Sequence, residues 1–190
     1  MFVAGMKASG KHSLKLTWPK VSGAKGYDVY FARCNSGGKT YKLKKVKTLG
    51  ANAGGWKLSG LEKRVSYKAL VKVWKRVKGK KVILATSPVV HAYTYGCSRR
   101  HTNAKAVKLK SAKKVTLKTS GKSRIRASVV KLHPSLKLND HTAVLRYYTS
   151  DKRVATVNAG GVIRARRKGR CTVTIITSNG MSATVEVRVK

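Results

Sequence analysis

The sequence predicts an all-β protein built from two antiparallel β-sandwiches in tandem. Short runs in which apolar and polar residues alternate recur along the 190 residues, and Gly-, Asn- and Ser-containing turns separate them. Proline is scarce, with 3 residues, and no strong helical pattern interrupts the runs. A period of two with repeated turn signals is typical of sandwich folds. A hydrophobic content of 42% is sufficient for folded cores.

The first series of strands ends near residue 95. Its clearest members are "SLKLTW", "YDVYF" and "SYKALVKVW", and "VILATSPVVHAYT" is expected to close the sandwich. Successive side chains of a strand point to opposite faces, so the alternate apolar residues share one face. We therefore expect Trp18, Tyr27 and Val71 to lie in one core.

The second series begins after "YGCSRRHTN" and contains "SRIRASVVKL", "VATVN", "GVIRA", "CTVTIITS" and "SATVEVRVK". "NAGG" and "SNG" are turn signals, because Gly adopts positive φ without steric cost. The predicted second core contains Ile125, Val157, Ile175 and Val187. The predicted domains are therefore 1–95 and 104–190, joined by a linker at 96–103.

Charge is the unusual property of the composition. The chain has 44 Lys+Arg against 5 Asp+Glu, a formal net charge of +39, and both series of strands carry it. Self-repulsion of this size opposes folding. Its presence indicates an anionic partner, while adaptation to an unusual medium is the alternative.

Other chemistry has little support in the sequence. The five carboxylates are scattered, "NSGGKT" lacks the first Gly of a phosphate loop, and the histidines lack metal-ligand spacing, so we expect no enzyme, metal or cofactor. No apolar stretch is long enough for membrane insertion, and no signal peptide is visible. Cys171 is expected to face a core. Cys34 and Cys97 are open to pairing, although free thiols are favoured.

Two clusters of cations are the candidate polyanion-binding residues. In "YKLKKVKTL", Lys42 and Lys44 share one face, while Lys45 and Lys47 are expected near a sheet edge, where lysine also prevents aggregation. In "VIRARRKGR", alternation with Ile163 and Ala165 turns two arginines outward, and further cations follow in the turn. The predicted polyanion-binding residues are Lys42, Lys44, Arg164, Arg166, Arg167, Lys168 and Arg170.

Two stretches also resemble known families. "LKLTWPKVSGAKGYDVY" and "LSGLEKRVSYKALVKVW" resemble a fibronectin type III domain, with Leu61 and Tyr67 in the positions of its tyrosine corner. "VKGKKVILATSPVVHAYT" resembles versions in secreted proteins of Gram-positive gut bacteria. "YYTSDKRVATVNAGGVIRARRKGRCTVTI" resembles a bacterial Ig-like domain of group 2, with Tyr147 at a position usually held by Trp. These resemblances imply Ig-like, non-catalytic binding or spacer modules.

Two functions from different classes are compatible with these observations. The favoured one is a secreted or cell-wall-associated adhesion protein that binds anionic polymers: cell-wall polymers, glycosaminoglycans, mucin glycans or, without specificity, nucleic acid. Trp56, Trp74 and Tyr148 are the candidate surface aromatics for base stacking. The alternative is a secreted, hormone-like fibronectin type III ligand of a host receptor. Neither the ligand nor a receptor is identified by the sequence.

Overall fold

The computed structural model describes the backbone of residues 1–190 and all side chains except those of Asp140 and His141. The chain forms two compact units. The first module comprises Phe2–Asn103 and His133–Lys137, and the second comprises Met1, Ala104–Leu132 and Leu138–Lys190. The fold is all-β, as predicted. Helical backbone in the described chain is limited to a 3-10 turn at Thr94–Gly96 and a single turn, α1 (Asp140–Ala143).

The first module is a sandwich of two antiparallel sheets. Its strands are β1 (Gly5–Gly10), β2 (Ser13–Thr17), β3 (Gly26–Arg33), β4 (Lys44–Gly50), β5 (Gly55–Leu58), β6 (Ser66–Val77), β7 (Lys80–Thr86) and β8 (Val90–Tyr93). One sheet has the order β1-β2-β5, and the other has the order β4-β3-β6-β7, with β8 also paired to β6. The strand β4 is therefore one edge of the larger sheet, and β7 and β8, which pair with different parts of β6, form the other.

The core of the first module confirms the alternation pattern. Trp18, Tyr27 and Val71 are buried in one cluster. The Trp18 and Tyr27 rings lie 5.5 Å apart, and the indole Nε1 of Trp18 donates to the carbonyl of Ala53 at 3.0 Å. The tyrosine corner is also present, because the hydroxyl of Tyr67 accepts the backbone N–H of Glu62 at 3.0 Å.

The second module has three smaller sheets around a separate core. Its strands are β9 (Ala104–Leu109), β10 (Lys114–Leu117), β11 (Lys122–Arg124), β12 (Ala127–Lys131), β13 (Arg146–Thr149), β14 (Ala155–Val157), β15 (Val162–Ala165), β16 (Gly169–Ile176) and β17 (Ser182–Val189). The sheet orders are β10-β17-β16-β13, β11-β15-β14 and β12-β9. Pairing is antiparallel except between β10 and β17.

The predicted core of the second module is present with one refinement. Ile125, Ile175 and Val187 are buried. Val157 is half-buried and packs against the same cluster. Cys171 is buried there as expected, since its strand alternates between core and solvent.

The expected linker, 96–103, lies inside the first module. Asn103 is buried and exchanges two hydrogen bonds with the backbone of Tyr93, at 2.8 and 3.0 Å. The backbone N–H of Thr102 donates to the carbonyl of Lys137 at 2.9 Å, which brings His133–Lys137 into the same module. Sequence patterns do not show such long-range pairing, and buried polar groups require it.

The three cysteines are free, so Cys34 and Cys97 are not paired. The sulfur of Cys34 instead contacts Nδ1 of His91 at 3.3 Å and accepts from the Ser66 hydroxyl at 3.2 Å. Burial raises the pKa of the Cys34 thiol and outweighs the hydrogen bond from Ser66. Among the residues that the structure describes, no helix has the length and apolar character needed to cross a membrane.

Candidate anion-binding surface

The lysine cluster of the first module lies at a sheet edge. The strand β4 pairs only with β3, and its residues Lys44, Lys45 and Lys47 are exposed. Val29 pairs with Lys47 and Tyr30 pairs with Lys45, so Val46 is an extra residue that forms a β-bulge. Charge and a bulge both protect an edge strand from pairing with another chain. The expected edge position of Lys45 and Lys47 is therefore confirmed.

Lys42 does not share a strand with Lys44. The strand β4 begins only at Lys44, and Lys42 lies in the preceding loop. The backbone N–H of Tyr41 donates to the side chain of Asn35 at 3.0 Å. This amide is used within the loop, so the alternation seen in "YKLK" does not correspond to a continued strand there.

Arg164 projects outward from the second module, as its neighbours predict. Ile163 and Ala165 are buried on either side of it, and Arg164 is exposed. On its sheet, Arg164 pairs with Lys122 of β11 and with Thr156 of β14. A second cation therefore lies beside Arg164 on the same outer face.

The turn residues of the arginine cluster follow β15. Arg166, Arg167 and Lys168 are exposed between β15 and β16. The backbone N–H groups of Arg166 and Arg167 both donate to the carbonyl of Val154, at 2.8 and 3.3 Å. These two hydrogen bonds to one carbonyl fix the backbone of the turn, while the cationic side chains stay in solvent.

Arg170 lies on a different sheet from Arg164. It belongs to β16, in which Cys171 and Val173 point into the core that Ile163 and Ala165 reach from β15. Both arginines point away from that core, so the outer face that carries Arg170 is not the one that carries Arg164. The predicted residues between Arg164 and Arg170 thus occupy two faces and a turn, although they are close together in the chain.

Arg170 stands directly opposite Arg188. The two residues pair across the antiparallel strands β16 and β17, and both are exposed. The Cβ atoms of such pairs are about 5 Å apart, and like charges placed there are destabilising. Glu186, the carboxylate on the same strand face, already faces Lys114 at 3.7 Å. Among the described side chains, no carboxylate forms an ion pair with either arginine.

A concavity of about 620 Å³ surrounds this pair, and we call it the Arg170–Arg188 concavity. Hydroxyl groups line it beside the charged groups. Its lining residues are Lys114, Val115, Thr116, Ser150, Arg170, Cys171, Thr172, Glu186, Val187 and Arg188. Guanidinium forks and hydroxyls are the donors that bind phosphate and sulfate oxygens. The arrangement can hold an anion between two neighbouring strands.

The sequence contained a signal that places Arg188 opposite Arg170. "SNG" is the turn of the β16–β17 hairpin, in which Ile176 pairs with Ser182. Continuing this register outward by six pairs places Arg170 opposite Arg188. No equivalent signal existed for Lys114 and Thr116, because β10 joins the sheet by a parallel, long-range pairing.

The carboxylates with described side chains are all engaged by cations. The pairs are Asp28–Lys81, Glu62–Arg33, Asp151–Arg153 and Glu186–Lys114. Side-chain and backbone hydrogen bonds from Arg153 lower the pKa of Asp151 to about 2, and the same partnership raises the pKa of Arg153. No described carboxylate forms an ion pair with a predicted polyanion-binding residue, although the charge of Arg167 contributes to the lowered pKa of Asp151.

The three candidate surface aromatics are half-buried. Trp56 packs against the first core. The Nζ atom of Lys81, in the same module, lies 4.4 Å from the centroid of the Trp74 ring, so the Lys81 side chain covers that ring. Tyr148 lies on β13. Open stacking platforms, which favour single-stranded nucleic acid, are thus not a feature of Trp56 or Trp74.

Comparisons with known proteins find only distant structural similarity. No family model and no curated protein match the chain. The chain is similar to the solved fn3 domain of human contactin 1, with 14% identity, a TM-score of 0.37 and coverage of 48% of this chain and 72% of that chain. It is also similar to the fn3 domain of the human collagen alpha-1(XX) chain, with 18% identity, a TM-score of 0.35 and coverage of 50% of this chain and 79% of that chain. The similarity to FN3tt has 19% identity, a TM-score of 0.32 and coverage of 49% of this chain and 85% of that chain.

These low scores carry no functional argument, and the all-β assignment rests on the strands and cores described above. No group of three or more His, Cys, Asp or Glu side chains is placed to hold a metal ion among the residues that the structure describes.

Proposed function

We propose that the protein is a non-catalytic, secreted or cell-wall-associated module that binds extended polyanions. The observation that carries this proposal is the cross-strand pair of Arg170 and Arg188 in a concavity whose described carboxylate, Glu186, forms its ion pair with Lys114. A sulfate or phosphate bound between the two guanidinium groups relieves their repulsion. The ligand thus gains charge-assisted hydrogen bonds where the free protein carries an electrostatic cost.

The remaining predicted cations extend this surface. Arg164, Arg166, Arg167 and Lys168 lie on the other face and turn of the second module, and Lys42 and Lys44 lie on the first module. They raise the local concentration of an anionic polymer and supply further contacts. Cell-wall polymers, glycosaminoglycans and mucin glycans are the proposed ligands, and nucleic acid binds by charge alone.

The test is a salt series of binding measurements with heparin, wall teichoic acid and duplex DNA. Arg170→Ser with Arg188→Ser should reduce the log–log salt slope on DNA by about two units, since each phosphate contact contributes about 0.9. Lys105→Ser with Lys108→Ser is the matched control, because both lysines are exposed on β9 of the same module. The control should change the slope by less than the value expected for one phosphate contact, about 0.9.

A second variant distinguishes the two faces. If Arg164→Ser, Arg166→Ser and Arg167→Ser flatten the slope while the Arg170/Arg188 variant does not, binding belongs to the β15 face. Equal losses in the arginine variants and the lysine control would mean that diffuse charge alone binds. If the wild type binds no polymer at low salt, the charge is an adaptation to the medium. Saturable, salt-resistant binding to one protein would favour the host-receptor function.

A further inference from the structure

The first module has a concavity of its own, of about 630 Å³, formed by two loops. One loop joins β5 to β6, and the other follows the 3-10 turn at Thr94–Gly96. Five of its six lining residues are basic. They are Lys63, Arg64, Arg99, Arg100 and His101, and the sixth is Ser98. None of them belongs to the residues predicted from the sequence.

Two unusual backbone conformations lie beside this concavity. Arg64 has a φ of 60° and Tyr95 has a φ of 61°, which is the left-handed region that non-glycine residues rarely adopt. Such conformations persist where the surrounding structure holds them, and they are frequent at ligand sites. Here the strained residues contact each other, because the guanidinium of Arg64 lies 5.4 Å from the centroid of the Tyr95 ring.

A fully buried threonine connects the loop from β5 with the 3-10 turn. The Thr94 hydroxyl donates to the carbonyl of Glu62 at 2.6 Å and accepts the backbone N–H of Val65 at 3.1 Å. The backbone N–H of Thr94 donates to the carbonyl of Val65 at 3.0 Å. These bonds fix Lys63 and Arg64 relative to Tyr95.

The second loop is organised by Ser98. Its hydroxyl accepts the backbone N–H groups of Arg100, at 3.2 Å, and His101, at 2.9 Å. The backbone N–H of Ser98 donates to the carbonyl of His101 at 2.8 Å, which closes a tight turn. Arg99 and Arg100 are therefore presented from a fixed backbone, with both side chains exposed.

The cations of this concavity have no ion-pair partner among the side chains that the structure describes. Glu62, next to Lys63 in the chain, forms its ion pair with Arg33. Among the described side chains, no carboxylate forms an ion pair with Lys63, Arg64, Arg99 or Arg100. Tyr95 instead accommodates two cations, with Lys63 Nζ 5.2 Å from its ring centroid. Cation–π contact offsets only part of the repulsion between neighbouring cations.

We propose that this concavity is a second, discrete anion site, which binds a compact phosphate or sulfate group through Arg99, Arg100, Lys63 and Arg64. It lies wholly within the first module and does not depend on the Arg170–Arg188 concavity. A concave, loop-built site with four uncompensated cations fits a compact multiply charged group. Arginine forks bind two oxygens of such a group together.

The test is calorimetric titration of the full chain with two compact probes, inorganic tripolyphosphate and a trisulfated disaccharide. The arms separate a phosphate source from a sulfate source. In the Arg170→Ser/Arg188→Ser variant, the site in the first module should still bind at least one of the two probes. Adding Arg99→Ser and Arg100→Ser should weaken that remaining site about tenfold to hundredfold, the range expected for lost charge-assisted hydrogen bonds.

Matched controls separate recognition from charge. Lys78→Ser with Lys80→Ser removes two exposed cations of the same module, near the β6–β7 turn, and should leave the affinity within about threefold. Arg99→Lys with Arg100→Lys keeps the charge but removes the forks, and should lose most of the affinity. In amide NMR spectra, the probe should shift the signals of Arg100 and His101, which the Ser98 hydroxyl holds.

The proposal is overturned if adding Arg99→Ser and Arg100→Ser to the Arg170→Ser/Arg188→Ser variant gives a folded protein that binds both probes with unchanged affinity. It is equally overturned if the Lys78/Lys80 control loses as much affinity as the arginine variant. These outcomes are distinct from failure of the proposed polymer binding, since that is measured with long polymers and the Arg170/Arg188 variant. Thermal unfolding of each variant establishes that it is folded.

Discussion

The outer faces of two sheets carry charge in opposite ways. In the first module, Asp28 lies on the face formed by β3, β6 and β7, and its carboxylate accepts hydrogen bonds from Thr48 and Lys81. In the second module, Arg170 faces Arg188 without a free carboxylate. The charge of Asp28 is satisfied within its own module, and the charge of the arginine pair is left to solvent or to a ligand.

The difference extends to burial. Asp28 is only 3% exposed, although it points away from the core. Trp74, two positions along the β6 face from Lys72, packs over Gly26 and beneath Lys81, and so covers this region. Arg170 and Arg188 remain exposed. Charge that is desolvated must be paired to be tolerated, whereas exposed charge can stay unpaired at small cost.

The comparison separates a structural use of charge from a binding use. Burial alone raises the pKa of Asp28, but the hydrogen bonds from Lys81 and Thr48 and the Lys81 charge lower it below its usual value of 3.8. The Asp28 group therefore stabilises the fold. The Arg170–Arg188 pair weakens the fold slightly and favours an anion. Three substitutions, one of them also followed as a function of pH, test this distinction.

The largest effect is expected from Asp28→Ala. The change removes a buried carboxylate that holds Thr48 and Lys81, and it should lower the free energy of unfolding by about 2–3 kcal/mol. Denaturant unfolding measures the loss. Because the pair is partly buried, the loss should persist at high salt. A loss below about 0.5 kcal/mol would show that the Asp28 face is no more structural than the arginine face.

A smaller loss is expected from Gly26→Ala on the same face. A Cβ at this position would lie 2.5 Å from a ring carbon of Trp74 and 2.6 Å from the carbonyl oxygen of Leu49. The strain should cost about 1–2 kcal/mol. Gly50→Ala is the matched control, since Gly50 pairs with Gly26 and has open space at its Cβ. Equal stability of the two variants in thermal unfolding would contradict tight packing of Trp74.

The contribution of Asp28 should also depend on pH in a defined direction. A carboxyl whose pKa is lower in the folded state stabilises the fold above the unfolded pKa and loses that effect as pH falls through the folded pKa. The difference in unfolding free energy between wild type and Asp28→Ala should thus be constant above about pH 5 and shrink below the usual value of 3.8. A difference that grew on acidification would contradict this assignment.

The smallest effect, and one of opposite sign, is expected from Arg170→Thr. Removing one member of a like-charged cross-strand pair should raise the free energy of unfolding by about 0.2–1 kcal/mol. The gain should fade at high salt, because the pair is exposed and screened. Lys105→Thr, an exposed change on β9, should give no comparable gain. A salt-independent loss in Arg170→Thr would mean that the arginine stabilises the module.

Much of the fold was predictable because its signals are local. Alternation of apolar residues identified the two cores around Tyr27 and Ile175, and the resemblance to a fibronectin type III domain implied the tyrosine corner at Leu61 and Tyr67. The inclusion of residues 96–103 in the first module was not predictable from such local signals. Thr102 pairs with Lys137, and a pairing between residues so far apart leaves no periodic pattern in either segment.

The candidate sites were predictable only in part. Local alternation was enough to predict that Arg164 projects outward, since it lies between buried Ile163 and Ala165. Tertiary structure alone decided which cations share a surface. Arg164 and Arg170 are close in the chain but lie on different sheets, whereas Arg64 and Arg99 are distant in the chain and line one concavity. Strand order and loop pairing, which bring distant segments together, decide where charge accumulates.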